Sequence, residues 1–162
     1  MWIKFLKLVI YFIPLAVLQL VVVPMISVEN IAPDLILVMI VYFAVREGQI
    51  FGMLTGFILG FVFDLVSGGL LGANMFAFTV SAFVAGYFYN ENKMDINLSS
   101  YFFLLILFIS SLLCSFIYSA IAGSTSSLNI VFLFIEGGLF PALYTTLFGV
   151  PVVVFSSKKG IA

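Results

Sequence analysis

The sequence predicts an all-α integral membrane protein with six transmembrane helices, and three observations lead to this fold class. Of its 162 residues, 64% are hydrophobic and only 8% are charged, whereas a soluble domain has about 25% charged residues. A mean hydropathy of +1.33 leaves too little polar surface to solvate a folded exterior. Apolar runs recur along the whole chain, and most approach the roughly 20 residues that cross the hydrocarbon core of a bilayer.

Six spans follow when the apolar runs are divided at charged residues and at clusters of Gly, Pro, Asn and Ser. We predict one domain over residues 1–162, with spans at about 5–23, 31–46, 49–66, 70–89, 99–122 and 139–156. No soluble domain, internal repeat or linker fits between them.

The flanking residues define the first two spans. Lys4 and Lys7 precede an apolar run that continues to Val23, longer than the roughly 7 to 15 residues of a signal-peptide core, so we predict an uncleaved helix. The second span opens at Pro33 and Asp34. A proline suits the first turn of a helix, and an acid there caps free amides, so both residues indicate a helix start.

Small residues recur at four-residue spacing in the next three spans. The third span has a glycine ridge, on which another helix can approach the backbone closely: Gly48, Gly52, Gly56 and Gly60. The fourth has Gly69, Ala73, Ala77, Ser81 and Ala85, and the fifth has Ser111, Ser115, Ser119 and Gly123. We expect these rows, together with Gly72 after the third span, to pack the helices of the domain together. Alternatively, one ridge receives the transmembrane helix of a partner.

The last apolar run, residues 128–156, is too long for one simple crossing. Glu136, Gly137, Gly138 and Pro141 interrupt it. We therefore predict an interfacial or half-buried lead-in at 128–136 and the crossing itself at 139–156.

The basic residues test the number of crossings. With six spans, all of them fall on one side of the membrane: Lys4, Lys7, Arg46, Lys93, Lys158 and Lys159. The positive-inside rule then predicts that both termini are cytoplasmic.

The composition argues against an enzyme. The chain has no histidine and a single cysteine, Cys114, which removes the usual zinc sites, Ser-His-Asp triads and internal disulfides. We expect no catalytic residue, no metal, no cofactor and no nucleic-acid partner.

Asp64 lies in an apolar run where an ionised side chain is costly. It continues the glycine series, near a helix C-terminus whose dipole disfavours a negative charge, and every cation is predicted on the opposite face. Three explanations remain open: a protonated carboxyl, a cation or donor from another chain, or hydrogen bonds from neighbours such as Ser67, Asn74 and the amides of Gly68 and Gly69. The missing internal cation favours an external partner.

Asp34 is explained more simply, as a helix cap. If the second and third spans form an antiparallel pair, however, Asp34 and Asp64 come near each other at the outer interface. The two acids could then share a proton, receive a partner or line a cation path.

Three segments together resemble the bacterial rod shape-determining protein family MreD: "PDLILV" (33–38), "REG" (46–48) and "GFILGFVFDLVSGGLLG" (56–72). The length and a late "PALY" (141–144) agree with it, so the resemblance covers most of the chain. It implies a scaffold without catalytic activity in the bacterial cytoplasmic membrane, which joins MreC and helps to position peptidoglycan synthesis. The other implied partners, direct or indirect, are the actin-like MreB, a RodA-type glycosyltransferase and a penicillin-binding transpeptidase.

The family's fold is thought to be similar to that of the substrate-binding subunits of energy-coupling-factor vitamin transporters. This likeness supplies the alternative function, a membrane subunit that binds a small molecule in its outer half near Asp34. Those subunits carry an A-x-x-x-A motif in the first helix, where this chain has only Ala16.

Overall fold

The computed structural model describes residues 2–27, 31–90, 101–122 and 135–159. These residues form seven α-helices and one π-helical turn, Ile135–Leu139. The helices are α1 (Trp2–Val21), α2 (Val23–Ile26), α3 (Leu35–Glu47), α4 (Gln49–Ser67), α5 (Ala73–Gly86), α6 (Tyr101–Ala122) and α7 (Phe140–Lys159).

Three segments are long and apolar enough to cross a membrane: Gln49–Ser67, Tyr101–Ile121 and Gly137–Val154. Two shorter apolar helical segments, Ile10–Val21 and Ala73–Gly86, accompany them. The described chain is therefore an all-helical protein with several apolar helices, as expected of a multi-pass membrane protein. The total of six crossings stays a prediction.

Two helices begin later than the sequence predicted. The second span was expected from residue 31, but α3 begins at Leu35 because Asp34 has an extended backbone (φ −103°, ψ 91°) and caps the helix. The fourth was expected from residue 70, but α5 begins at Ala73 because Gly72 takes the left-handed conformation with φ 94°. Most of the predicted lead-in at 128–136 lies outside the described residues.

The centre of the bundle is α3. Nine of its 13 residues are buried, among them Ile36, Leu37, Ile40 and Val41, and it packs against α1, α4, α5, α6 and α7. The surrounding helices expose large apolar side chains instead, for example Leu54 and Phe57 of α4. This inverted arrangement, with an apolar exterior, suits a lipid environment.

Most of the predicted glycine ridge is occupied by the chain itself. A Cβ atom added to Gly56 would lie 2.7 Å from the Phe78 carbonyl oxygen, and one added to Gly60 would lie 2.6 Å from Met75 Cα. Both neighbours belong to the backbone of α5. A partner's helix cannot use the same ridge while α5 covers it.

Other members of the predicted rows lie elsewhere. Gly48 is in the turn between α3 and α4, with φ 98°, so it does not extend the ridge. Gly52 meets Ala44 of α3. Ala77 and Ser81 are fully buried on α5, but the α4 glycines meet α5 at other positions, around Met75, Phe78 and Ala82.

A second row of small residues, not predicted from the sequence, joins α7 to α6. Gly138, Ala142, Thr145 and Gly149 are all buried. The Ser119 hydroxyl donates to the Gly137 carbonyl oxygen at 3.0 Å, and Gly149 packs against Leu107. The small residues allow the two helices to approach closely.

Replacing Gly60 with alanine should destabilise the protein, because the new methyl group meets backbone atoms that cannot move independently of α5. We expect a cost on the order of 1–3 kcal/mol, measured as a lower melting temperature of the detergent-solubilised protein. The control is Gly69→Ala, where the nearest atom to the added Cβ is Ser67 Oγ at 3.6 Å. Equal melting temperatures for the two variants would contradict the packing described for α4 and α5.

Candidate functional site

Polar side chains gather at one end of the bundle. We call it the aspartate end, because it carries Asp34 at the start of α3 and Asp64 in the last turn of α4. The opposite end, where α3 finishes at Arg46 and Glu47, is the arginine end. Asn74, which was also predicted, lies at the aspartate end together with Gln19.

Asp64 is fully buried and receives four hydrogen bonds. Its Oδ2 accepts from the amides of Gly72 at 2.8 Å and Met75 at 3.2 Å. Its Oδ1 accepts from the Asn74 amide at 3.3 Å and from Asn74 Nδ2 at 2.8 Å. Every one of these donors belongs to the start of α5.

Asp64 therefore caps a helix other than its own. The first amides of a helix have no partner within it, and the positive end of the α5 dipole favours a carboxylate there. Asn74 was among the predicted donors, but the amides come from Gly72, Asn74 and Met75 rather than from Gly68 and Gly69. Hydrogen bonds from this chain, one of the three explanations left open for Asp64, are thus present, so the missing cation gives no reason to expect an external partner for this acid.

Asp34 caps its own helix. Its Oδ1 accepts from the Leu37 amide at 2.9 Å, and its own amide donates to the Thr145 hydroxyl of α7 at 3.0 Å. Unlike Asp64, Asp34 is only partly buried. The two acids therefore cap different helices.

The chain leading into α3 is not helical, and Gln19 of α1 provides hydrogen-bond partners for two of its backbone groups. Gln19 Nε2 donates to the Pro33 carbonyl oxygen at 3.0 Å, and Gln19 Oε1 accepts from the Leu35 amide at 2.9 Å. Pro33 itself has no amide to satisfy. Gln19 thus bonds across from α1 to the start of α3, and Pro33 takes part through its carbonyl group.

This non-helical segment contacts α7 away from the end of its apolar segment. Thr145, which contacts Asp34, is eight residues into the apolar segment Gly137–Val154, or about 12 Å at 1.5 Å per residue. Backbone that is not helical is tolerated at such depth only where protein or water satisfies its polar groups. Gln19 and Thr145 provide this, and nothing in the sequence singles out Thr145 for the role.

A recess of about 440 Å³ opens beside this segment on the surface of the bundle. It is lined by Ile31 and by the α7 residues Phe140, Leu143, Tyr144 and Leu147. The Tyr144 hydroxyl donates to the Ile26 carbonyl oxygen at 3.0 Å, so the polar group of the lining is already engaged. The recess was not predicted from the sequence.

The interior also contains buried hydroxyl groups. Ser81 of α5 and the adjacent Ser110 and Ser111 of α6 are fully buried, and their Oγ atoms have no hydrogen-bond partner among the described residues. Serine in a helix can rotate its hydroxyl to the carbonyl four residues earlier.

Comparison with known proteins identifies a family. The model of the family described as "rod shape-determining protein MreD" matches residues 1–121, which include both aspartates and helices α1 to α5. No curated protein and no solved structure matches the chain.

Replacing Asp64 with asparagine should destabilise the protein. The amide NH₂ cannot accept, so at least one donor of α5 is left buried without a partner, at a cost of about 1–3 kcal/mol. Asp34→Asn is the matched control, because asparagine caps a helix about as well as aspartate. Melting temperatures in detergent should fall for the first variant only, and an unchanged value for Asp64→Asn would exclude the capping role.

Replacing Gln19 with leucine should also destabilise the protein, because the Pro33 carbonyl group and the Leu35 amide both lose their partner. A loss of about 1–3 kcal/mol is expected, together with faster amide exchange at Leu35. Val17→Leu is a suitable control, since Val17 is an exposed residue of the same helix. Wild-type exchange at Leu35 in the Gln19→Leu protein would show that Gln19 does not hold this segment.

Proposed function

The chain belongs to the MreD family of rod shape-determining proteins, and we propose that it is a non-catalytic membrane scaffold of the rod complex, the assembly that elongates the cell wall. In this role it binds the single-pass protein MreC and helps to position peptidoglycan synthesis. MreB, a RodA-type glycosyltransferase and a penicillin-binding transpeptidase are the further partners, reached directly or indirectly.

The observation that carries this proposal, beside family membership, is how the polar residues of the aspartate end are used. Asp64, Gln19 and Asn74 direct their polar atoms at the backbone and side chains of this chain. They fix where α3 and α5 begin. Residues used in this way support a rigid body with defined surfaces, which is what a scaffold requires.

The charge distribution supports an orientation in the membrane. Arg46 lies at the arginine end, Lys4 and Lys7 lie near the start of α1, and Lys158 and Lys159 end α7. We propose that the arginine end and both termini face the cytoplasm. Two tyrosines at the same end, Tyr87 and Tyr101, are 79% and 86% exposed, which suits an aromatic belt at a membrane interface.

We also propose that the chain forms one six-crossing domain with a fold like that of vitamin-binding transporter subunits. The described helices are compatible with such a domain, because the other helices enclose α3. The transport function itself has less support. The recess on α7 is apolar, and the hydroxyl group of Tyr144 is already bonded to Ile26.

The scaffold role can be tested in the native bacterium by depletion and rescue. Depletion should convert rods to rounded cells, and a tagged wild-type copy should restore rods and bring MreC with it from solubilised membranes. Gly69→Ala, which leaves the packing intact, should behave like wild type. Rod shape that survives depletion would contradict the proposal. So would a purified protein without MreC that shows a bound small molecule in native mass spectrometry, a result that favours transport.

A further inference from the structure

Three buried hydroxyl groups lie at the same level of the interface between α5 and α6. Phe88, just after α5, packs edge-on against Phe102 at the start of α6, with ring centroids 5.7 Å apart, so the two helices run antiparallel from this contact. Ser81 lies seven residues before Phe88, and Ser110 and Ser111 lie eight and nine residues after Phe102. About two turns of each helix therefore bring the three serines to one level.

The α6 serines face the interior of the bundle. They belong to a buried face whose members recur at three- and four-residue spacing: Phe103, Ile106, Leu107, Ser110, Ser111 and Cys114. Cys114, one turn beyond the serines, lies near Ser81 of α5 and also near Asp34 at the start of α3. We call Ser81, Ser110, Ser111 and Cys114 the serine site, a small polar patch within an apolar core.

The hydroxyl groups of the serine site do not make the bond that a helix offers them. Thr79 of α5 donates to the Met75 carbonyl oxygen at 2.6 Å, and Thr146 of α7 donates to that of Ala142 at 2.7 Å. The three serines are 0% exposed, and among the described residues their Oγ atoms have no hydrogen-bond partner. A buried hydroxyl group without a partner is costly, so the site calls for a ligand that forms hydrogen bonds.

From this geometry we propose that the serine site binds water, and that the water bridges Ser81 of α5 to Ser110 and Ser111 of α6. A buried water typically makes about three hydrogen bonds to otherwise unsatisfied polar groups, and it both donates and accepts, as hydroxyl groups require. The groups of the site are uncharged hydroxyls and a thiol, which suit water better than a hard cation that prefers carboxylates.

Bridging water fastens α5 to α6 across an interface that otherwise consists of small and apolar side chains. A bridged hydrogen bond is nearly as favourable as a direct one, and polar bonds between helices help to hold them together in a membrane. The position of α5 matters beyond this interface, because its first amides hold Asp64. The proposal concerns the interior alone and does not rest on the scaffold role.

Nuclear magnetic resonance of the isotope-labelled wild-type protein in detergent tests for the water directly. Magnetisation from water should reach the amide protons of Ser81 and Ser111 but not that of Ile40, which is buried in the apolar core of α3. In the Ser111→Ala protein the signal at Ser81 should fall severalfold, because the shared water loses a partner on the facing helix. Absence of the signal at Ser81 in the wild-type protein would overturn the proposal.

Thermal stability provides a second test. Ser81→Ala and Ser111→Ala should each lower the melting temperature by about 2–4 °C, and the double variant should fall little further, because both changes release the same water. Ser67→Ala is the control, since Ser67 is exposed at the end of α4, and its effect should be small and additive. Single variants that melt at or above the wild-type temperature, or a fully additive double variant, would contradict a shared water.

The choice of salt separates water from a cation. The wild-type protein should melt at the same temperature in sodium, potassium and N-methylglucamine chloride at equal ionic strength. A higher melting temperature in sodium or potassium, absent from the Ser111→Ala protein, would show that the serine site holds a cation and would overturn its assignment to water.

Discussion

The structure depends on supplying hydrogen-bond partners to helix starts that water does not reach. Every helix begins with amides that its own carbonyl groups cannot satisfy, and at membrane depth each unpaired amide costs several kcal/mol. Asp64 meets this need for α5, and Asp34 meets it for α3. Gln19 completes the arrangement by pairing with both polar groups that flank Asp34.

The same constraint explains why two acids in an apolar protein have different roles. An acid can be stabilised by a cation, but backbone amides and a helix dipole also stabilise it. Asp64 has this second solution within its own hairpin, which leaves it fully buried and structural. Asp34 has fewer hydrogen-bond donors and caps the helix that it precedes.

The sequence predicted best those elements that depend on local composition. The helices α4 and α6 fall in the apolar runs predicted at 49–66 and 99–122, because long apolar runs with polar flanks define them. The starts of α3 and α5 were placed too early, because they depend on Asp34 and Asp64 reaching particular amides. Thr145 and the recess on α7 could not have been predicted, since a threonine in an apolar run carries no signal until the helices are packed. Gly56 and Gly60 were recognised from their spacing, but the face of α5 that covers them was not.

The separations of these contacts along the chain imply an order of assembly during synthesis. Asp64 finds its donors only 8 to 11 residues ahead, so the α4 and α5 hairpin can close as soon as both helices have left the ribosome and entered the bilayer. The bond between Asp34 and Thr145 joins residues 111 positions apart. It must wait until nearly the whole chain has been translated, which makes the seating of α7 a late event in membrane insertion and leaves α3 incompletely held until then.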